Sequence, residues 1–394
     1  MQSNYDILVI GSGFSGSIMA RELAEQDNLK VVVIEQRSHV GGNMFDEFDE
    51  HGILVQKYGP HFLNTDKYWI IQYLERFAEL VPHHVKMLGQ IDGRFVRLPY
   101  NFETVQQLMP PMQAERLLAL FRRAFKNRDR VPIFELIEHE NEEIRAYGEL
   151  LFDKAYRPYV VKQWGLSTDE IDRSVLNRVP MAMNYDERYL NKDFQRLPKH
   201  GYTNLFESML DHPNIDLMLN NDALKHIYLD ESTGYVFYDD IRYKQIIYTG
   251  AIDELFGECH GNLPYRSLDI HYRIEKTESA LPSEVVSYPQ ADGYTRSTEY
   301  RKICHFPLNT PFTVVATEYP LAYDKYSTIG NLPYYPIITD GNTALYQRYL
   351  SKSLKYDNLL LCGRLAEYKY YNMDAVIENT FEKLSVLRKK LGLA

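Results

Sequence analysis

The sequence has few cysteines and no cysteine motif. Among its 394 residues only Cys259, Cys304 and Cys362 are cysteines, and they are far apart in the chain. No CxxC pair or Cys/His metal spacing is present. A disulfide-stapled fold and a zinc site are therefore not expected, and the chain fits a reducing compartment with no structural metal.

Long apolar runs and an excess of positive charge are also missing. No run of 18 apolar residues occurs, and the apolar start YDILVIGSGFSG has no basic flank and breaks into glycines, unlike a signal peptide. We expect a cytoplasmic protein with no membrane partner. The 54 acidic and 44 basic residues give a net charge of -10, which argues against a nucleic-acid partner. A few arginines in one cleft could still bind an anionic ligand.

What the sequence does contain is ordinary globular composition with many tyrosines. Hydrophobic residues make up 45% and charged residues 25%, and the length allows two or three domains. The 32 tyrosines are unusual. They supply core packing or flat surfaces on which a ligand can stack.

The N-terminus predicts a dinucleotide-binding unit. The strand-like run at residues 5–10 is followed by a G-x-G-x-x-G motif, a helical pattern, and a second strand, Val31–Ile34, that ends at an acid, Glu35. The first glycine makes a tight turn, the second lets backbone approach a pyrophosphate, and the third lets helix pack on strand. We expect the cofactor to contact Gly11, Ser12, Gly13, Phe14, Ser15, Gly16 and Glu35. A glycine-rich turn without a ligand is the alternative.

The segment that follows favours FAD over NAD. It reads EQRSHVGGNMFDE, residues 35–47, and resembles flavoproteins such as amine oxidases and phytoene desaturases, in which a basic residue and a Gly-Gly segment wrap the FAD diphosphate. The resemblance implies contacts from Gln36, Arg37, Gly42 and Asn43. Arg37 could instead be a solvated loop arginine. The same group implies a second contact near the C-terminus, where a strand at residues 358–362 runs into Gly363 and Arg364.

The remaining patterns predict an α/β fold with two insertions. Residues 66–82 and 104–156 have helical spacing, and residues 235–238, 245–248, 284–288 and 312–318 alternate as short strands. We expect a discontinuous Rossmann-like FAD-binding domain, an inserted helical subdomain and an antiparallel β-sheet domain. The boundaries we predict are 1–68, 197–255 and 356–394 for the FAD domain, 69–84 and 105–196 for the helical subdomain, and 85–104 and 256–355 for the sheet domain.

Ordered motifs along nearly the whole chain resemble the bacterial UDP-galactopyranose mutases. They are VIGSGFSG, IEQRSHVGGN, KYGPHFLNT, VKQWG, LPKHGYTNL, IIYTGAIDELF, YRSL, GYTR, EYP, PYYP and GRLAEYKYYNMDAVI. The resemblance implies an intramolecular transferase that interconverts UDP-galactopyranose and UDP-galactofuranose without net redox change. It further implies that N5 of reduced FAD attacks the anomeric carbon, which is covalent catalysis by a cofactor. Family members are often homodimers.

The resemblance also assigns residues to the UDP-sugar. Arg178 and Arg296 would clamp the diphosphate, since a guanidinium binds phosphate through two nitrogens and stays charged. Tyr159 would stack on uracil, and His61 would lie near flavin N5. Further contacts are implied for Trp164, Tyr189, Tyr335, Tyr370 and Asn372 with substrate, and for Arg364 and Met373 with FAD. Without the resemblance these would pass as surface arginines, a core tryptophan and a structural histidine.

Three departures bear on the substrate. Asn372 stands where many members have aspartate, Val160 replaces a common threonine, and Asn64 replaces a second histidine. The same chemistry on UDP-N-acetylgalactosamine is therefore an open alternative. An FAD-dependent oxidase or desaturase, and a non-catalytic nucleotide-sugar binding protein, are others.

Overall fold

The computed structural model describes residues 4–167 and 179–393. Its strands are β1 (Ile7–Ile10), β2 (Val31–Ile34), β3 (Asp46–Phe48), β4 (Leu54–Gln56), β5 (Leu63–Thr65), β6 (Leu80–Pro82), β7 (Met87–Ile91), β8 (Arg94–Leu98), β9 (Arg130–Val131), β10 (Met181–Ala182), β11 (Phe194–Pro198), β12 (Ile215–Met218), β13 (Ile227–Asp230), β14 (Tyr235–Tyr238), β15 (Gln245–Tyr248), β16 (Tyr265–Glu275), β17 (Val285–Ser287), β18 (Arg296–Glu299), β19 (Thr313–Ala322), β20 (Tyr335–Pro336) and β21 (Leu359–Leu361).

The helices are α1 (Phe14–Glu25), α2 (Tyr68–Leu74), α3 (Phe102–Leu108), α4 (Pro111–Ala124), α5 (Ile133–Ile137), α6 (Glu142–Leu151), α7 (Arg157–Trp164), α8 (Tyr202–Leu210), α9 (Ile252–Leu255), α10 (Asp340–Ser353) and α11 (Met373–Leu391). A π-helical turn, Phe152–Tyr156, leads into α7. Within the described ranges, no helix has the length and apolar character needed to cross a membrane.

A parallel five-stranded sheet is the centre of the fold. Its order is β12-β2-β1-β15-β21, and every pair in it is parallel. Alternate residues of β1 enter different cores: Ile7 and Val9 pack with α1, α8 and α11, whereas Leu8 and Ile10 pack on the opposite face. Burial on both faces explains the continuous apolar runs of these strands. The predicted Rossmann-like α/β unit is confirmed, including the C-terminal strand and helix.

A seven-stranded sheet lies beside it, with the order β20-β16-β19-β18-β17-β7-β8. All its pairs are antiparallel except β17 with β7. In the β18–β19 pair, Arg296 lies directly opposite Glu318. That register places a cation and an acid side by side on one face.

The helices between residues 102 and 164 form a separate hydrophobic core against this sheet. Phe121, Tyr147 and Leu151 are fully buried in it. Two helices begin at asparagine caps: Asn101 forms a capping box with Thr104, and the Asn141 side chain accepts from the backbone at the start of α6. The domain boundaries given above remain a prediction.

One secondary-structure prediction was wrong. The helix expected over residues 66–82 ends at Leu74, and Leu80–Pro82 instead forms strand β6 against β11. Strands β14 and β15 lie outside the seven-stranded sheet, within the range 197–255 that the predicted boundaries assign to the FAD domain. β14 forms a hairpin with β13, and β15 is a fully buried strand of the parallel sheet. Short apolar runs do not by themselves reveal which strand they pair with.

Candidate functional site

The glycine loop after β1 has the shape that a dinucleotide requires. Gly11 has φ +101°, a conformation that favours glycine, and a Cβ on Gly16 would lie 1.8 Å from the Gly11 carbonyl oxygen. A Cβ on Gly13, in contrast, would meet no atom within 4 Å. Open space at Gly13 and close packing at Gly16 are the two requirements of a loop that a pyrophosphate approaches from one side. No side chain caps α1 at Gly13.

Glu35 is fixed at the end of β2 by its own neighbours. Its carboxylate accepts hydrogen bonds from the backbone N–H of Ser12 at 3.0 Å, the Ser12 hydroxyl at 2.8 Å and the Arg37 N–H at 3.0 Å. Only 5% of Glu35 is exposed. The Ser12 side chain therefore positions the acid that is predicted to bind ribose hydroxyls.

The segment at residues 35–47, which is predicted to wrap the FAD diphosphate, lies against the glycine loop. It contains one buried hydrogen-bond donor that has no partner. A Cβ on Gly42 would lie 3.4 Å from Gly13 Cα. The Arg37 guanidinium donates to Asn43 Oδ1 at 3.0 Å and lies 4.6 Å from the centre of the Tyr58 ring. Its other terminal nitrogen, Nη1, is buried with no hydrogen-bond partner. Because an unpartnered buried donor is costly, this atom fits a ligand that accepts hydrogen bonds.

The other predicted cofactor residues differ in what they can offer. The Phe14 side chain packs on Phe206 with ring centroids 4.8 Å apart, so only its backbone is available to a ligand. Ser15 is buried, and its hydroxyl accepts from the Thr380 hydroxyl at 3.2 Å. Gln36 is exposed.

The C-terminal segment that begins at Gly363 packs against the glycine loop that follows β1. Gly363 has φ +100°, and a Cβ on it would lie 2.9 Å from the Ser15 hydroxyl. Arg364 donates to the Tyr371 carbonyl at 2.7 Å and the Tyr334 carbonyl at 3.3 Å. Asn372 occupies the N-cap of α11, but its side chain makes no capping hydrogen bond. Its amide is therefore available to the cavity that it lines.

A cavity of about 510 Å³ runs from this segment to the helical core. Three of its walls come from separate units: the segment at residues 58–64, helix α7 with the loop before β11, and strands β17, β18 and β20. Ten predicted site residues line it, namely His61, Tyr159, Trp164, Tyr189, Arg296, Tyr335, Arg364, Tyr370, Asn372 and Met373. Arg178, another predicted substrate-binding residue, lies outside the described residues.

A buried ion pair forms one wall of the cavity. Arg296 Nε donates to Glu318 Oε1 at 2.7 Å, and the Glu318 side chain is only 2% exposed. Burial opposes the charge of Arg296, but Glu318 holds its pKa well above the usual range. Gly59 has φ +89° and faces this pair, and a Cβ there would lie 3.3 Å from Glu318. The pair fixes a permanently charged guanidinium at the cavity surface.

Aromatic rings surround a second guanidinium. Tyr335 and Tyr370 stack with centroids 5.6 Å apart, and Trp164 lies 6.2 Å and 6.1 Å from them. The Arg364 carbon Cζ lies 5.5 Å from the Tyr370 ring and 6.0 Å from the Tyr335 ring. Burial raises the pKa of Tyr335 to about 12, so its hydroxyl keeps its proton and can donate to an anion.

His61 is neutral in this setting. Burial, followed by the charge of Arg364, lowers the pKa of His61 to about 3. Nδ1 lies 2.8 Å from the Gly59 carbonyl oxygen, which can only accept, so Nδ1 carries the proton and donates. Nε2 is then an acceptor. The ring can receive a hydrogen bond at Nε2 without changing charge near neutral pH.

Comparison with known proteins identifies the family. A model of the family described as GLF, UDP-galactopyranose mutase, matches residues 154–370. A UDP-galactopyranose mutase of Mycoplasma genitalium is 34% identical over 391 residues, with 98% of this chain and 95% of that protein covered. The chain belongs to the UDP-galactopyranose mutase family.

Another relative carries a different substrate in its name. A dTDP-fucopyranose mutase of Escherichia coli is 33% identical over 386 residues, covering 95% of this chain and 96% of that one.

Residues 9–77 match a model of NAD(P)-binding Rossmann-like domains.

Solved structures support the fold. A crystal structure of reduced UDP-galactopyranose mutase has a TM-score of 0.72 at 15% identity and covers 100% of this chain and 95% of its own. A putrescine oxidase is also similar, with a TM-score of 0.57 at 11% identity, and covers 98% of this chain and 99% of its own.

The cavity residues that were not predicted from sequence include Tyr58, Arg130 and Lys192, which line it, and Glu318, which supports Arg296. Glu318 belongs to the EYP motif, one of the motifs that carry the family resemblance, but no role was assigned to that motif. The motif could therefore have pointed to Glu318. Lys192 lines the cavity and pairs with Asp374 in the first turn of α11. No sequence signal marked Arg130.

Proposed function

We propose that this protein interconverts UDP-galactopyranose and UDP-galactofuranose with FAD as its cofactor. The observation that carries the proposal is the cavity beside the glycine loop, in which Arg296, Arg364 and three aromatic rings meet. Two guanidinium groups and neutral tyrosine hydroxyls suit a diphosphate, and stacked rings suit a nucleoside and a sugar. Membership of the mutase family supports the reaction itself.

The residues around the glycine loop fit FAD. The unpartnered Arg37 Nη1, the open face of Gly13 and the uncapped start of α1 leave room and donors for a diphosphate. Glu35 offers carboxylate oxygens toward a ribose, and the backbone at Met373 begins a helix whose positive end can stabilise negative charge. When bound and reduced, FAD supplies a nucleophilic nitrogen, N5, for the anomeric carbon of the sugar.

The chain's own residues would then position the substrate and its leaving group. Arg296, held by Glu318, donates to the diphosphate as the sugar–phosphate bond breaks and re-forms. Tyr335 and Tyr370 donate hydrogen bonds from their hydroxyls to the same group, and Trp164 packs against both rings and excludes water from the sugar. Arg178 is proposed as the second clamp on sequence grounds.

A dTDP-linked fucopyranose is the second candidate substrate. The Escherichia coli dTDP-fucopyranose mutase is nearly as similar to this chain as the UDP-galactopyranose mutase reported above. The wall beside Tyr159 contains the apolar Val160, which could contact a thymine methyl group. A UDP-N-acetylgalactosamine substrate, a homodimeric assembly and a cytoplasmic location remain predictions from the sequence.

The test uses purified full-length protein. The preparation should be yellow, and UDP-galactofuranose should be converted to UDP-galactopyranose only after reduction with dithionite. Supplying dTDP-fucofuranose and the N-acetylated UDP-sugar in parallel ranks the candidates by kcat/KM. Equal turnover with oxidised flavin, or oxidation of amines with release of peroxide, would reject the mutase proposal.

The cofactor proposal has a separate test that does not depend on turnover. Gly13→Ala adds a methyl group to open space, so the fold should remain intact while FAD affinity falls at least about tenfold. Gly16→Ala places its methyl group on the Gly11 carbonyl and should destabilise the fold itself. If Gly13→Ala binds FAD as tightly as wild type, the pyrophosphate does not lie at this loop.

A further inference from the structure

Lys192 is a cavity cation to which the family resemblance gives no role. It lies in the loop before β11 and lines the cavity, with 30% of its side chain exposed. Its N–H donates to Asn64 Oδ1 at 3.3 Å, and its carbonyl accepts from Gln195 Nε2 at 3.1 Å. Gln195 is fully buried in β11. The main chain therefore fixes the place of Lys192 in the cavity wall.

The ammonium of Lys192 reaches across to the start of α11. It pairs with the carboxylate of Asp374, whose side chain is only 7% exposed. The other oxygen of that carboxylate accepts from the Ala375 N–H at 2.9 Å, within the first turn of the helix. A carboxylate is stable at a helix N-terminus, and here it also holds the ammonium beside the end of α11 that faces the cavity.

Helix α11 connects this ion pair to the glycine loop. Asp374 directly follows Met373, which lines the cavity. Six residues farther along the helix, about 9 Å along its axis, the Thr380 hydroxyl donates to the Ser15 hydroxyl at 3.2 Å. Ser15 belongs to the glycine loop, where the cofactor is proposed to bind. Lys192 thus lies at the end of the cavity that is nearest the cofactor.

The other end of the cavity belongs to the helical core. Tyr100, Tyr156 and Val160 line it there and are buried members of that core. The loop that carries Lys192 packs on this core at Leu190 and reaches α11 at Lys192. In the proposed reaction the anomeric carbon must meet the FAD, so the sugar occupies the cofactor end and the nucleoside extends toward the helical core. Lys192 therefore lies on the sugar side.

The side chains around Lys192 are polar and can bind a ligand. Asn64 and Asn372 line the same part of the cavity. The Asn372 amide makes no capping hydrogen bond at α11, and the amide nitrogen of Asn64 is a donor beside the oxygen that accepts from Lys192. An ammonium has three donors, and its pair with Asp374 needs one of them. Amides that donate and accept, beside a cation that donates, suit the hydroxyl groups of a sugar ring.

We propose that Lys192 donates a hydrogen bond to a hydroxyl oxygen of the bound sugar and so helps to determine which sugar is accepted. The inference rests on the proposed function, because it requires a nucleotide-sugar in this cavity with its sugar toward the FAD. Asp374 is a positioning residue, since it acts through Lys192. The competing role for a cation at this end is an effect on the flavin, and the experiment separates the two.

The experiment measures binding of UDP and UDP-galactose to the oxidised, flavin-loaded protein by calorimetry, because the proposed reaction does not proceed before reduction. Lys192→Met should weaken UDP-galactose binding about 10- to 100-fold, the range for a hydrogen bond to a charged group, and leave UDP binding unchanged. Lys192→Arg keeps the charge and the donors and should stay within a few-fold of wild type. The double variant Lys192→Met/Asp374→Asn leaves no buried carboxylate unpaired and should show the same selective loss.

Lys199→Met is the matched control, since Lys199 is 33% exposed, pairs with Glu79 at 2.8 Å and is not among the described residues that line this cavity. It should bind both compounds like wild type. Equal losses for UDP and UDP-galactose in Lys192→Met, or no loss for either, would overturn this inference and leave the proposed function intact. An unchanged UDP-galactose affinity with a shifted reduction potential of the bound FAD would also overturn it, because Lys192 would then act on the flavin. Wild-type protein that binds neither compound would overturn both proposals.

Discussion

At the scale of single residues, the ion pair of Arg296 with Glu318 explains how a strongly charged group stays fixed inside a cavity. The two residues are register partners on β18 and β19, and the carboxylate is almost fully buried. Removing one member of such a pair leaves the other charge buried and unpaired. A positioned guanidinium is what a departing diphosphate requires.

Arg296→Ala should therefore lose turnover by a factor of about 10² to 10³, the loss of one donor to a charged transition state, about 2–4 kcal/mol. Bound flavin should stay at the wild-type level, because Arg296 lies on the sheet side of the cavity. The measurement is kcat of the reduced enzyme together with the flavin/protein absorbance ratio. Arg242→Ala, on the exposed surface, is the control. A wild-type rate in Arg296→Ala would remove this residue from the site.

His61 makes a prediction about acid stability. Its folded pKa of about 3 lies below the ordinary value of 6.5, so the unfolded chain binds the proton first as pH falls. The stability contributed by the neutral ring is complete above pH 6.5 and is lost as pH falls from there toward 3. Between pH 7 and pH 5 the loss should be about 1–2 kcal/mol.

The measurement is urea unfolding of wild type and His61→Asn at pH 7 and pH 5. Wild type should lose more stability than the variant over this interval, while the exposed His200→Asn should follow wild type. Parallel losses in wild type and His61→Asn would show that the ring is protonated in the folded state, against its placement beside Arg364.

At the scale of elements, one lysine ties helix α7 to the loop between β17 and β18. The Lys162 ammonium donates to the carbonyls of Tyr288 at 2.7 Å, Ala291 at 2.6 Å and Tyr294 at 2.8 Å. Burial lowers the pKa of Lys162 to about 8, although the charge of Asp292 opposes this shift. The loop between β17 and β18 is thereby held over the cavity, just before Arg296.

Lys162→Met should release that loop. We expect faster hydrogen exchange at residues 288–294, a several-fold higher KM for the nucleotide-sugar and a stability loss of about 1–3 kcal/mol, with kcat nearly unchanged. Lys154→Met, a surface lysine paired with Asp92, is the matched control. If exchange in the loop is unaltered, the three hydrogen bonds do not determine its position.

The elements also show what local sequence can and cannot predict. The strand β1, its glycines, α1 and Glu35 were predictable because each signal lies within about 30 residues, as dinucleotide-binding units require. The end of α2 was not, since strand β6, which follows it, pairs with β11 far away in the chain. The predicted residues that line the cavity run from His61 to Met373, and only the family resemblance, not periodicity, brought them together.

At the scale of the whole molecule, the two ends of the chain build one site. Helix α11 packs on α1, where Arg388 Nε donates to Asp27 at 2.8 Å and Thr380 donates to Ser15. The strand before α11 extends the sheet that begins with β1. Cofactor binding and folding of the C-terminal segment should consequently be linked.

Gly363→Ala tests that link. A methyl group there would press on the Ser15 hydroxyl in a left-handed conformation, so we expect a stability loss of about 1–3 kcal/mol and weaker FAD binding. Gly392→Ala is the matched control, because Gly392 has φ +68° and open space around it, which confines its cost to backbone strain of about 1 kcal/mol. The measurements are thermal unfolding with and without added FAD, and FAD affinity by fluorescence titration. If both variants bind FAD equally well and differ only in stability, the C-terminal glycine holds the fold together without shaping the cofactor site.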